Sequence, residues 1–187
     1  MISNLQVISG TYRGRKLLLP DGARPTQNMA RGAIFNMLLE IVPQNTKITV
    51  WDAFAGSGAL GIEMLSRYPN AAVVFTDVSE NSVKCIQKNV VGVPVNRVSV
   101  VRVDSLNSVS KYGANADIVF VDPPYANPEL GTEFVAKLAE TVRSGTIVVQ
   151  EIEKNVAYLP DETKWDVIRD RSYGRARFLI LRRNNNK

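Results

Sequence analysis

Short apolar runs rich in β-branched residues alternate with helical patterns along most of the chain. Five of these runs are predicted to be strands, at residues 47–52, 71–77, 98–103, 117–122 and 145–150. They lack a clean alternation of apolar and polar positions, so we expect strands buried on both faces of a parallel sheet. Segments with helical spacing separate them, at residues 58–67, 79–91 and 129–142. The repeated strand–helix order predicts right-handed βαβ crossovers and a doubly wound α/β fold.

The two ends of the chain follow different patterns. Residues 5–8 and 16–19 flank a basic, glycine-containing segment, which predicts a β-hairpin, and a helix with apolar spacing follows to about residue 41. Near the other end, residues 164–170 and 176–182 are extended and are separated by a Tyr-Gly turn. Two consecutive strands joined by a turn are expected to pair antiparallel at an edge of the sheet.

The composition is that of one globular domain. With 187 residues, 45% of them hydrophobic and 22% charged, the chain can form a packed core. It has no run of about 18 apolar residues, no signal-peptide pattern and one cysteine, so we expect a cytoplasmic protein without a membrane segment. Histidine is absent, which excludes Ser-His-Asp and Cys-His catalysis and histidine-based metal sites. Carboxylates, backbone groups, hydroxyls, Lys, Arg or a bound cofactor must carry any chemistry, and no metal is expected.

The net charge of +5 is distributed unevenly. Residues 1–31 contain five basic residues and one acidic residue, and residues 167–187 contain seven and one. Residues 32–166 contain 11 basic and 16 acidic residues. Basic ends on an acidic body indicate an anionic partner, and nucleic acid is the partner we favour; a solvated surface with a frayed C-terminal tail is the alternative.

Residues 52–61 join a predicted strand to a predicted helix and contain three glycines. Gly56, Gly58 and Gly61 satisfy G-x-G-x-x-G, a pattern found in dinucleotide sites and in purely structural turns. The carboxylate of Asp52 would repel a pyrophosphate, whereas it would attract an ammonium group. This favours S-adenosyl-L-methionine, whose amino-acid moiety and sulfonium are cationic, over a nicotinamide dinucleotide.

Two further acids follow the next predicted strands. Asp77 is placed to accept hydrogen bonds from a ribose diol, and Asp104 from an adenine amino group. Each acid alone also fits a helix N-cap or a surface loop, but open α/β sheets bind ligands at this edge. The predicted cofactor-binding residues are Asp52, Phe54, Ala55, Gly56, Ser57, Gly58, Asp77, Val78, Asp104 and Ser105.

The segment Asp122-Pro123-Pro124-Tyr125 directly follows the fourth predicted strand. Its prolines fix an extended turn, which aims the Asp122 carboxylate and the Pro123 carbonyl into one small space. Two converging acceptors suit the two N–H donors of an exocyclic amine, and Tyr125 offers a flat face for stacking a base. These four residues are the catalytic candidates; a rigid loop with a solvent-facing acid is the structural alternative.

Residues 52–61 together with 122–125 resemble the S-adenosylmethionine-dependent amino-group methyltransferases. More closely, the chain is similar to the D-type (RsmD-like) family of bacterial 16S ribosomal RNA guanine-N2 methyltransferases. The similarity extends over nearly the full length, through residues 9–17, 24–26, 31, 34–38, 54–63 and 173–174. Asn28-Met29 occupies positions where the family usually has an Asp-Arg pair, which leaves Thr26 and Arg31 as candidates for the substrate contact.

The resemblance implies a class I methyltransferase with a Rossmann-like α/β sheet of seven strands, the last antiparallel, and an N-terminal β-hairpin and helix extension. Residues 1–40 would form the RNA-binding extension and residues 41–187 the S-adenosylmethionine-dependent methyltransferase domain. Asp77 would hold the cofactor ribose, Asp104 would lie near the adenine, and residues 122–125 would receive the guanine. The expected partner is 16S ribosomal RNA, in the small ribosomal subunit or its assembly intermediate, and we expect a monomer.

The reaction implied is direct methyl transfer to guanine N2 without a covalent enzyme intermediate, so Cys85 is expected to be a packing residue. The predicted substrate-binding residues are Arg13, Arg15, Lys16, Arg24, Thr26 and Arg31. A DNA adenine-N6 methyltransferase is one alternative, because an Asp-Pro-Pro-Tyr segment recognises an amine rather than a particular base. A non-catalytic RNA-binding module on the same fold is the other.

Overall fold

The computed structural model describes residues 5–22, 28–124 and 126–185, apart from the side chain of Pro128. Within these residues, seven strands form one sheet: β1 (Ile48–Asp52), β2 (Ala71–Asp77), β3 (Val98–Arg102), β4 (Ile118–Val121), β5 (Ile147–Glu153), β6 (Trp165–Tyr173) and β7 (Ala176–Arg183). Their order is β3-β2-β1-β4-β5-β7-β6. Neighbours among β1 to β5 run parallel, and β7 runs antiparallel to both β5 and β6. The predicted Rossmann-like seven-stranded α/β sheet with an antiparallel last strand is confirmed.

The helices of the described chain are α1 (Asn28–Ile41), α2 (Ala59–Arg67), α3 (Glu80–Asn89), α4 (Val109–Tyr112) and α5 (Pro128–Ala139), with short 3₁₀ turns at Val95–Arg97 and Leu106–Ser108. The Ser79 hydroxyl caps α3 by accepting from the N–H of Ser82 at 3.3 Å, as its position before the helix predicts. The sequence pattern did not predict α4 or the 3₁₀ turns, because elements of three or four residues are too short to show a period.

The core lies on the two faces of the sheet. One cluster joins alternate positions of the central strands to α1, α2 and the hairpin, and the other joins the opposite positions to α5. Strand β4 is buried along its whole length, whereas β3 at the sheet edge has only intermediate and exposed residues. The prediction of burial on both faces is therefore wrong for β3, because at the edge of the described sheet the layers packed on its two faces cover it only in part.

The predicted N-terminal hairpin is present. Gln6 and Lys16 pair in an antiparallel bridge, and the N–H of Val7 donates to the carbonyl of Arg15 at 2.9 Å. Leu5, Val7 and Leu17 are buried in the same cluster as the sheet and α1, so the extension is fixed to the body of the protein. None of the described helices has the length and apolar content needed to cross a bilayer.

Candidate active site

The carboxyl ends of the parallel strands bring the predicted acids to one edge of the sheet. Asp52 ends β1, Asp77 ends β2, Asp104 lies just beyond β3, and Asp122 directly follows β4. The strand order reverses at β1, because the chain first moves outward to β3 and then returns to place β4 on the other side of β1. In open α/β sheets, the crevice at such a reversal is the usual ligand site.

The glycines of the loop between β1 and α2 serve two purposes. One allows close packing of α2 on the sheet, and another lies next to open space. Gly56 and Gly58 have positive φ angles of 54° and 79°, a conformation that favours glycine. A Cβ on Gly61 would lie 2.2 Å from the ring of Phe75, so this glycine allows α2 to pack on the sheet. A Cβ on Gly56 would meet no atom within 4 Å among the described residues. Gly56 is therefore the glycine at which a ligand can approach the backbone.

Two carboxylates hold this loop in place. Asp77 accepts hydrogen bonds from the N–H groups of Gly56 and Ser79, both at 2.8 Å. Asp52 accepts from the N–H of Gly61, in the first turn of α2, at 2.9 Å. The acids predicted to face a ligand thus also fix the conformation of the loop that would surround it.

The electrostatics of Asp52 favour a cationic ligand. The side chain is buried, and this desolvation raises its pKa to about 7, with a further upward contribution from the charge of Asp77 and an opposing one from the N–H of Gly61. A nearby cation would stabilise the ionised carboxylate, whereas a pyrophosphate would face two carboxylates. The residues present therefore fit the ammonium and sulfonium groups of S-adenosyl-L-methionine.

The remaining predicted cofactor residues fall into two groups. Phe54, Ala55 and Ser57 lie in the glycine loop, and the apolar side chain of Val78, directly after Asp77, is 67% exposed. Asp104 is exposed and accepts from the N–H of Asn107 at 3.0 Å, so it caps a 3₁₀ turn as well as lying at the ligand edge. The hydroxyl of Ser105 is buried, where it contacts the carbonyl of Ala53 and the hydroxyl of Thr76. The prediction that Ser105 binds the cofactor is corrected for its side chain, which supports the ends of β1 and β2 instead.

The turn after β4 is tight and closely packed. Pro123 is buried and Pro124 is exposed, and the N–H of Asn127 donates to the carbonyl of Pro124 at 3.1 Å. A Cβ on Gly131 of α5 would lie 2.9 Å from the Pro123 ring, so glycine is required for this approach. Tyr125 lies outside the described residues. A small cavity beside the turn is lined by Pro123, Pro124, Asn127, Glu151, Ile152 and Glu153.

The predicted substrate-binding residues differ in exposure, and two of them are not described by the structure. Arg13 and Lys16 are exposed on the hairpin, and Arg15 lies 4.4 Å from the ring centre of Tyr12 and donates to the carbonyl of Val91. Arg24 and Thr26 lie outside the described residues.

Arg31 requires a correction. Its side chain has no exposed surface, lies 3.8 Å from the carboxylate of Glu63 and donates to the carbonyl of Gln6. An RNA phosphate cannot reach a fully buried guanidinium, so the prediction that Arg31 contacts the substrate is wrong. It joins α1 to the hairpin and α2.

Two structural residues of the site escaped the sequence analysis. Glu63 of α2 accepts from the N–H groups of Ile8 and Ser9, at 2.8 and 3.1 Å, and thereby fixes the hairpin. Asn89 of α3 donates to the carbonyls of Leu18 and Ser57 and so touches both the hairpin and the glycine loop. The only signal for Glu63 was a carboxylate within an otherwise apolar helical stretch, and Asn89 had none. The thiol of Cys85 is buried and donates to the Leu18 carbonyl, as expected of a packing residue.

Comparisons with known proteins identify the family of the chain. The model of the family described as conserved hypothetical protein 95 matches residues 5–182. Ribosomal RNA small subunit methyltransferase D of Escherichia coli (strain K12) is 31% identical over 185 residues, covering 96% of this chain and 90% of the relative. The protein of the same name from Haemophilus influenzae is 28% identical, covering 91% and 89%. The solved structure of yhhF from Escherichia coli is 27% identical, with a TM-score of 0.83 over 96% of this chain and 98% of that one. The chain therefore belongs to the conserved hypothetical protein 95 family, and the resemblance identified from its motifs is confirmed.

Proposed function

We propose that the protein transfers the methyl group of S-adenosyl-L-methionine to the exocyclic N2 of a guanine in 16S ribosomal RNA. One observation carries the proposal: a buried carboxylate suited to a cation, Asp52, and an amine-binding turn, Asp122-Pro123, end adjacent strands at the reversal of the sheet order. Relatives named ribosomal RNA small subunit methyltransferase D support the reaction class and the kind of substrate.

The cofactor would lie across the ends of β1 and β2. Asp52 would attract its amino-acid end, Gly56 would allow close approach of the backbone, and Asp77 would accept from the ribose hydroxyls. Val78 and Asp104 would border the adenine. When bound, S-adenosyl-L-methionine supplies an electrophilic methyl group on a sulfonium.

The turn after β4 would hold the target amine. The Asp122 carboxylate and the Pro123 carbonyl would each accept one N–H of guanine N2, which orients the nitrogen toward the bond it forms. Positive charge develops on N2 as the new N–C bond forms and the S–C bond breaks. Asp122 would stabilise that charge and take the released proton, so no covalent enzyme intermediate is needed.

The extension of residues 1–40 would bind RNA around the target base. Arg13 and Lys16 are exposed there and suit phosphate oxygens, with Arg24 and Thr26 as further candidates. The base must leave its stack to reach the turn after β4, which costs a few kcal/mol and favours an irregular RNA segment. We propose that the small ribosomal subunit or its assembly intermediate is the substrate and that the protein acts as a monomer.

Tritiated methyl transfer to small subunits from cells lacking this gene tests the proposal. We expect label in N2-methylguanosine, and we expect Asp122→Ala to lower the rate by about 100-fold or more, because it removes the base and an amine acceptor. Asp166→Ala, an exposed acid on β6, is the control and should retain full activity. Label in N6-methyladenine of DNA would favour the adenine enzyme, and no label on either substrate would reject catalysis by this site.

A further inference from the structure

Strand β5 carries a second buried carboxylate near its carboxyl end, beside the turn that follows β4. Val121 and Gln150 are paired in the parallel register of β4 and β5, so Asp122 and Glu151 occupy the next positions of the two strands. Neighbouring strands lie about 4.8 Å apart. Glu151 is only 6% exposed, and it lines the same small cavity as Pro123 and Pro124.

The register of β4 and β5 predicts that the two carboxylates lie on the same face of the sheet. Phe120 and Val149 are register partners, and both belong to the hydrophobic cluster on the α1 side. Side chains of a strand alternate between faces with a period of two, so Asp122 and Glu151 continue this face two residues further on. Glu151, which lines the cavity, therefore lies about one strand spacing from Asp122, the residue expected to accept from the amine.

Two neighbouring carboxylates would bind guanine and adenine differently, because the two bases present different hydrogen-bonding groups beside the exocyclic amine. In guanine, the exocyclic N2 is next to N1–H, so the edge presents donors at both positions. In adenine, the exocyclic N6 is next to a bare N1, which presents a lone pair. An ionised carboxylate only accepts hydrogen bonds. A second carboxylate beside the amine site would thus bind the guanine edge and repel the adenine edge.

We propose that Glu151 accepts a hydrogen bond from N1–H of the target base and thereby makes the site select guanine. The inference rests on the proposed function and adds a specificity-determining residue to it. Sites built to hydrogen-bond a substrate N–H discriminate strongly against analogues that lack it, because the buried acceptor is then left facing a mismatched group.

The test compares two target bases that share the same reacting amine. Site-specifically substituted 16S RNA, assembled into subunits after the target position is mapped, carries either guanine or 2-aminopurine there. 2-Aminopurine keeps the 2-amino group but has a lone pair at N1. We expect the wild-type protein to prefer guanine by about 100-fold or more in kcat/KM. 6-Thioguanine keeps N1–H and the 2-amino group but has sulfur in place of O6, so it should be methylated like guanine, which separates the effect of N1 from that of O6.

Glu151→Gln should reduce the preference of guanine over 2-aminopurine by about 10-fold or more, because the amide can donate to a bare N1 as well as accept from N1–H. Glu153→Gln is the matched control: it lines the same cavity from the next position on that face, is exposed, and should keep the wild-type ratio. Each ratio is taken within one protein, so a general loss of stability that lowers both rates leaves it unchanged.

The outcomes separate this inference from the proposed function. A wild-type protein that methylates guanine and 2-aminopurine equally well, or a Glu151→Gln protein with an unchanged ratio, would overturn the role of Glu151 alone. If Glu151→Gln does not fold, the wild-type ratio decides. A wild-type protein that methylates neither base at N2 would instead overturn the proposed function.

Discussion

Burial raises the pKa of Asp52 to about 7, and the carboxylate of Asp77 contributes to the rise. The folded protein therefore binds this proton more tightly than the unfolded chain, whose carboxyl has the ordinary value of 3.8. Stability should fall as the pH increases from about 4 to about 7, and the full cost persists above pH 7. At 1.36 kcal/mol per pKa unit, that cost is about 4 kcal/mol as an upper bound.

We therefore expect Asp52→Asn to be more stable than wild type at pH 8 and to lose this advantage at pH 4. The same variant should bind S-adenosyl-L-methionine more weakly at pH 8, because an amide does not attract the ammonium group. Urea denaturation at both pH values and titration calorimetry measure the two effects. Asp166→Asn, at an exposed position, is the control. An identical stability difference at pH 4 and pH 8 would contradict the assignment of the raised pKa to Asp52.

Helix α3 connects the hairpin to the glycine loop through one side chain. The Asn89 amide donates to the carbonyls of Leu18 at 3.0 Å and Ser57 at 2.9 Å, and it accepts from the N–H of Leu18 at 2.8 Å. Cys85, one turn earlier, donates to the same Leu18 carbonyl, and no hydrogen bond joins it to the described glycine loop. Replacing Asn89 removes contacts to both the hairpin and the glycine loop, whereas replacing Cys85 removes a contact to the hairpin.

Asn89→Ala should weaken S-adenosyl-L-methionine binding by about 10-fold, because a buried hydrogen bond that holds Ser57 is lost at a cost of about 1–3 kcal/mol. Cys85→Ala should lower the free energy of unfolding without changing the dissociation constant. Calorimetric titration at a temperature where all proteins are folded measures the constant. Equal dissociation constants for the two variants would show that Asn89 serves only the hairpin.

The elements could be predicted where the local pattern determines them. Strands β1, β2, β4 and β5 are continuous apolar runs because helices or loops cover both faces, and Ser79 marks the start of α3. The sequence pattern ended β6 three residues early, because its exposed positions carry no period around the irregularity between Val167 and Arg169.

Contacts between distant segments could not be predicted in the same way. The candidate site acids could be identified because each lies at or just beyond the carboxyl end of a strand, and the topology of parallel sheets brings those ends together. Glu63 and Ile8 are 55 positions apart, and Asn89 and Leu18 are 71 apart. Arg31 was misassigned to phosphate because its distant partner Glu63, which takes it into the core, leaves no mark in the local pattern.

At the scale of the whole molecule, the described part of the basic C-terminal region contains ion-paired, buried and exposed arginines. Arg177 pairs with Asp170 at 2.7 Å and Arg169 with Glu40 at 3.1 Å, while Arg183 is buried. The turn between β6 and β7 is placed differently: the N–H of Lys154, just after β5, donates to the carbonyl of Arg175 at 2.8 Å. Lys154 and Arg175 are exposed, and both lie at the end of the sheet that also carries Glu151 and Asp122.

These two cations are therefore expected to contact RNA phosphates beside the target base. Replacing both Lys154 and Arg175 by Ala should weaken binding to small-subunit RNA and reduce the slope of log K against log salt by about 1.4–1.8, since each phosphate contact contributes about 0.7–0.9. Arg182→Ala is the matched control, because Arg182 is also exposed but pairs with Ile147 at the opposite end of β5. Filter binding at a series of KCl concentrations gives the slope, and KM should rise while cofactor affinity stays constant. If Arg182→Ala reduces the slope of log K against log salt equally, RNA binding depends on the overall charge of the C-terminal region and not on this end of the sheet.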